Sequence, residues 1–121
     1  MTPEGTVIRE GGTDILVPLE HSMHGPGKKV GPVFFNEQMA FNRDVSVMLL
    51  RSLERDGMTV ADAMCATGSR SVRIAKEVPG SEVTANDISP SAMPYIQANI
   101  DLNHLTNCRP NCSNLHILFT E

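Results

Sequence analysis

Asp62 stands six residues before Gly68, in Asp62-Ala63-Met64-Cys65-Ala66-Thr67-Gly68, and Asp87 stands nineteen residues after that glycine, in Ala85-Asn86-Asp87-Ile88. An apolar run leads into each acid. Strand, tight turn, helix, strand, acid is the order in which an open α/β sheet holds a nucleoside at the carboxyl ends of its strands. A turn of small residues lets backbone approach a ligand closely. The helix after it offers unpaired amides and a partial positive charge to a carboxylate or phosphate. The turn therefore suits an anionic or zwitterionic group. Asp87 can accept both hydroxyls of a ribose in charge-assisted hydrogen bonds and would repel a 2′-phosphate. The plainer alternatives are an ordinary strand-to-helix connection for the turn and a turn or helix-capping role for Asp87, although Ser89 already suits the cap.

The turn departs from the dinucleotide fingerprint, which needs glycine at three positions where this chain has Ala66, Gly68 and Ser71. A nicotinamide cofactor is not expected. His21 and His24 have a spacing that could bind metal on a helix, but Gly and Pro surround them; Cys108 and Cys112 lack a second ligand pair. No metal site is expected. Cys65 reads as a small apolar residue beneath the turn.

These groups need elements to position them. Residues 7–9 and 14–17 flank Gly11-Gly12 and predict a small β-hairpin. Residues 18–32, with three prolines and three glycines, read as a long loop. A helix is expected from near Asn42, capped by that residue, with Asp44 in its first turn and Val45, Met48, Leu49 and Leu53 facing inward. Strands follow at 59–64 and 82–87 and helices at 69–78 and 90–103, with Arg73 paired to Glu77 and Pro90 at a first helical position. Residues 106–114 look polar and irregular around Pro110. Residues 115–119 fit strand or helix equally.

At 121 residues and 40% apolar content, the chain is one soluble domain or part of one. It lacks an apolar run long enough for a membrane span and a secretory signal pattern. Its three cysteines fit a reducing compartment. A cytoplasmic location is expected. A formal charge of −4 gives no basic footprint for nucleic acid, and one tyrosine with no tryptophan offers little for base stacking. RNA contacts, if the protein makes them, are expected mainly from regions outside this chain.

The fold expectation is α/β: half of a doubly wound, Rossmann-like sheet preceded by a small hairpin and a helix. Residues 1–57 form the leading part and residues 58–121 the first half of a nucleoside-binding domain. A chain ending there would leave a sheet edge and an apolar face unpaired. A fragment of a larger protein, or dependence on a partner, is therefore expected; a complementing subunit would be one such partner.

Four stretches carry a resemblance. The 62–68 segment resembles the first motif of class I S-adenosylmethionine-dependent methyltransferases, with Ala66 where many have glycine. Together with residues 32–44, which end in Asn42-Arg43-Asp44, and with residues 66–73 and 85–90, it is similar to the tRNA (guanine-N2-)-dimethyltransferases of archaea and eukaryotes. The similarity runs from about residue 7 to residue 103. It implies S-adenosylmethionine as cofactor and methylation of the exocyclic N2 amine of a guanine in tRNA. It also implies that Arg43 and Arg70 contact the cofactor through its methionine carboxylate, that Asp87 holds the ribose and that Ile88 lies against adenine. Asp62, with Ala66 and Gly68 of the turn, would support that turn or receive the methionine ammonium. The family's Asp-Pro-Phe-Gly acceptor element would lie beyond Glu121, so no catalytic residue is assigned and no turnover is expected from these residues alone. A non-catalytic cofactor-binding module or split subunit is the alternative, and a methyltransferase for small molecules or proteins a third reading.

Overall fold

A computed structural model describes residues 2–19 and 33–120 of the chain. The expected loop over 18–32, with His21 and His24, falls largely outside the described residues. Strands β1 (Thr6–Glu10) and β2 (Thr13–Val17) pair antiparallel from Thr6↔Val17 to Glu10↔Thr13, leaving Gly11-Gly12 as a two-residue turn. Gly11 has φ +58°, and a Cβ there would stand 2.3 Å from Arg73 Nη2. Only glycine meets both conditions.

The first long helix starts earlier than Asn42. A 3-10 turn, Glu37–Met39, runs into helix α1 (Ala40–Ser52), and the cap is Asn36, whose side chain accepts from the Gln38 amide at 2.8 Å. The inward row also differs from the expected one. Arg43 and Val47 are buried and Leu50 packs on the core, whereas Val45, Met48, Leu49 and Leu53 are exposed. Two apolar rows compete on this helix, and periodicity alone cannot choose between them. Arg43 and Asp44 choose, because both enter ion pairs with other elements.

Strands β3 (Thr59–Asp62), β4 (Glu82–Asn86) and β5 (Cys108–Asn111) form a parallel sheet in that order. Helices α2 (Ser69–Glu77) and α3 (Met93–Leu102) make the crossovers, giving the expected partial Rossmann-like arrangement. A 3-10 turn, Pro90–Ala92, leads into α3; Ser89 occupies its cap position but makes no side-chain capping bond. Strand β5 is a correction to the irregular reading of residues 106–114. Proline is tolerated there because β5 is an edge strand among the described residues. Residues 115–120 resolve as helix α4 (Leu115–Thr120), with the Asn114 side chain accepting from the Ile117 amide at 2.9 Å.

Val83 and Ala85 of β4 face Val72 and Ala75 of α2 and Ile96 and Ile100 of α3 in the main core. Ile15, Val17 and Phe35 form a second cluster with Ile8. Two asparagines of α3 and its cap fasten the hairpin. Asn99 Oδ1 accepts from the Leu16 amide at 2.6 Å while its Nδ2 donates to the Leu16 carbonyl at 3.0 Å and the Thr67 carbonyl at 2.9 Å. Asn103 repeats the pattern on Asp14, at 3.3 Å and 2.8 Å. One edge of β2 is thus paired by side chains in place of a strand. Among the described residues no helix is long and apolar enough to cross a membrane.

Candidate functional site

The carboxyl end of β3, the turn after it, the first turn of α2 and the start of α1 enclose a cleft of about 160 Å³. Of the residues expected at a site, Arg43, Asp62, Ala66 and Arg70 line it, and Phe34, Phe35, Met39 and Met64 supply apolar wall. Gly68, Asp87 and Ile88 are not among its lining residues, but Asp87 is bonded to the same turn: Oδ2 accepts from the Ala66 amide and Oδ1 from the Ser89 amide, each at 2.9 Å. The turn reading of Asp87 therefore holds without excluding a ligand, since a carboxylate has about four acceptor positions. Ile88 beside it is 67% exposed.

The turn is shaped by conformation as well as by contacts. Ala66 has φ +52° and Gly68 φ +81°. Glycine suits the left-handed residue that precedes α2 because of its positive φ; a Cβ there would meet Ile96 Cα at 3.4 Å, an ordinary contact distance. Behind the turn, Asn86 is fully buried and donates to the Ala63 and Ser113 carbonyls at 2.9 Å each, while its Oδ1 accepts from Asn111 Nδ2 at 2.8 Å. Three strand ends are locked together beneath the cleft.

The two arginines differ from solvated helix residues and from each other. Arg43 is 5% exposed: Nε and Nη2 donate to Glu10 Oε1 and Oε2 at 2.6 and 2.9 Å, Nη2 also donates to the Asn36 carbonyl at 3.1 Å, and the guanidinium carbon stands 4.6 Å from the Phe35 ring centroid. Arg70 donates through Nη1 to Ser46 Oγ at 2.6 Å and the Asn42 carbonyl at 3.3 Å, and forms no ion pair among the described residues. Behind Arg43, Arg73 Nη1 reaches Glu10 and Asp44, and its Nε and Nη2 take both oxygens of Glu77. Thr13 Oγ1 donates to Glu77 Oε2 at 2.8 Å. Glu10, Phe35, Asn36 and Ser71 were absent from the sequence-based site. Glu10 carried no usable signal, because its partners lie 33 and 63 residues away.

Burial pushes the Asp62 carboxyl above its ordinary value, against a 2.7 Å hydrogen bond from Ser71 Oγ and the charge of Arg70, with Asp87 adding to the rise. The folded state thus holds the Asp62 proton more tightly than the unfolded state, so stability falls as pH rises through the window above 3.8. Asp62→Asn keeps an acceptor for Ser71 and removes the buried charge. We expect it to raise the melting temperature at neutral pH, with the gain vanishing in mild acid; an equal gain at both pH values would show that the charge is not the cause. Burial, followed by Asp62 and Asp87, also raises the Cys65 thiol, and burial followed by Asp62 pushes Cys108 up to about 11. Cys65 is a protonated packing residue beneath the turn.

The chain matches the family model for N2,N2-dimethylguanosine tRNA methyltransferase over residues 13–120. It is 43% identical over 107 residues to a tRNA (guanine(26)-N(2))-dimethyltransferase of Methanoregula boonei, covering 86% of this chain and 28% of that protein. A structure of Trm1 from Pyrococcus horikoshii in complex with S-adenosyl-L-methionine superposes with a TM-score of 0.64 at 39% identity, covering 81% of this chain and 24% of the other. Trm5b from Pyrococcus abyssi superposes with a TM-score of 0.67 at 26% identity, over 90% of this chain and 28% of the other. The chain thus spans about a quarter of the length of the relatives it matches, and within that span it belongs to the N2,N2-dimethylguanosine tRNA methyltransferase family.

Proposed function

We propose that the cleft holds the amino-acid end of S-adenosylmethionine, that Asp87 and Ile88 hold its nucleoside, and that the whole protein methylates the N2 amine of a guanine in tRNA. One observation carries this reading: two guanidiniums, a carboxylate and a positive-φ turn from three elements converge on one cleft, and a second carboxylate is tied to the same turn. The donor set fits a zwitterion. Arg70, with no carboxylate partner among the described residues, supplies positive charge to the methionine carboxylate, and Asp62 supplies negative charge to the ammonium. The remaining acceptor positions of Asp87 suit ribose hydroxyls, and exposed Ile88 gains by covering an adenine face.

Bound there, S-adenosylmethionine would supply an electrophilic methyl group on a sulfonium. The chain's own contribution is to fix the cofactor's two ends, so that the methyl carbon has one place to be. The described residues serve the cofactor, and none is assigned to the acceptor amine. Contacts to tRNA are assigned mainly to other parts of the protein, because the 121 residues carry a net charge of −4. A cytoplasmic location accords with a tRNA substrate.

Calorimetry with S-adenosylmethionine, with NAD as control, tests the class: heat is expected with the first ligand only. Asp87→Ala is expected to weaken S-adenosylmethionine binding by about 1.5–3 kcal/mol, the range for hydrogen bonds to a charged group. Unchanged affinity in a folded variant would remove Asp87 from the site.

A further inference from the structure

We infer that Glu10, on the hairpin, is a positioning residue of the cleft: it grips the Arg43 guanidinium so that Nη1 alone is left to serve the amino-acid end of the ligand. That role presupposes the S-adenosylmethionine reading above. A guanidinium has five N–H donors. In Arg43, Nε and one Nη2 donor go to the two Glu10 oxygens, and the second Nη2 donor goes to the Asn36 carbonyl. The Nε/Nη2 edge, which could grip a carboxylate in two parallel bonds, is thus already taken. Phe35 closes one face of the plane. What remains is Nη1, which has no partner among the described residues.

Held by edge and face, this donor pair is oriented before a ligand arrives, which lowers the ordering cost of binding. Glu10 is itself fixed, being 9% exposed and 3.2 Å from Arg73 Nη1. The division of labour between the arginines follows. Arg70, held through Nη1 by two neutral acceptors and in no ion pair among the described residues, keeps its Nε/Nη2 edge and its charge for the carboxylate. Arg43, neutralised by Glu10, contributes direction.

The test titrates wild type and Glu10→Gln with S-adenosylmethionine and with 5′-methylthioadenosine, which has the same nucleoside but no amino-acid tail. A glutamine presents one acceptor and one donor where Arg43 needs two acceptors. Affinity for S-adenosylmethionine is expected to fall about tenfold, with less than about a twofold change for methylthioadenosine. Combined with Arg43→Met, which removes both buried charges together, Glu10→Gln is expected to change S-adenosylmethionine affinity less than about twofold. Equal losses for both ligands, no loss for either, or an undiminished loss beside Arg43→Met would each overturn the role. Should Glu10→Gln fail to fold, Glu10→Asp, which keeps the charge but shortens the reach by one methylene, is held to the same selectivity. A wild-type protein that binds neither ligand overturns the cofactor reading and this role together; wild-type binding with unselective Glu10 variants overturns this role alone.

Discussion

Arg73→Met is expected to cost about 3–5 kcal/mol of folding stability, the range for breaking a buried ion pair from one side. Arg73 is 3% exposed and contacts three carboxylates: Glu10 from the hairpin, Asp44 from α1 and Glu77 from its own helix. With Arg43, the cluster sets two guanidiniums against three acids. Removing Arg73 leaves one cation for three acids, two of them buried or nearly so. Methionine fills the space but satisfies none of them. Urea denaturation at neutral pH would measure the loss.

The deficit should shrink in acid. Burial pulls the Glu77 carboxyl up, but the hydrogen bonds from Arg73 and Thr13 outweigh it and hold the group below 4.5. The wild-type stabilisation from Glu77 is therefore present above the unfolded value and is lost as pH falls through the folded one. In the variant, protonation instead relieves stranded charge, so the two curves converge. A deficit that grows in acid would refute this electrostatic account.

Asn99→Ala is the second large effect, expected at about 3 kcal/mol or more. The side chain is fully buried and satisfies three backbone groups: the Leu16 amide, the Leu16 carbonyl and the Thr67 carbonyl. Each buried polar group left without a partner costs about 1–3 kcal/mol. Asn103→Ala strips the same pair of groups at Asp14, where solvent is closer, and should cost less. Amide exchange would separate the two: Leu16 should lose protection in Asn99→Ala and keep it in Asn103→Ala. Full protection of Leu16 in Asn99→Ala would show that another group takes over.

Asn99 also marks where sequence reading stopped short. Ile96, Asn99, Ile100 and Asn103 share one helical face, and a polar residue among apolar ones has to find partners. The spacing held that signal, but the partners are 83 and 89 residues away on a strand that reads as a self-contained hairpin. What local pattern decides was legible: the Gly-Gly turn, strands β3 and β4, helices α2 and α3, and the two aspartates at the strand ends. Side-chain competition decided the rest. Asn36 won the cap from Asn42, and ion pairs turned α1 to its less apolar side. An edge position made Pro110 compatible with a strand. Likewise Arg43 and Arg70 could be placed at a common cleft from motif context, while Glu10, the carboxylate that pairs with Arg43, lay in a segment that no motif covers.

The Asn99 amide belongs to the hairpin and to the Thr67 turn at once. A ligand that steadied Thr67 in the geometry Asn99 needs would favour hairpin docking. Linkage requires the effect to be reciprocal: the factor by which docking raises that ligand's affinity is the factor by which the ligand tightens retention of residues 6–17. Proteolysis within the hairpin would then slow when S-adenosylmethionine, the ligand proposed above, is added.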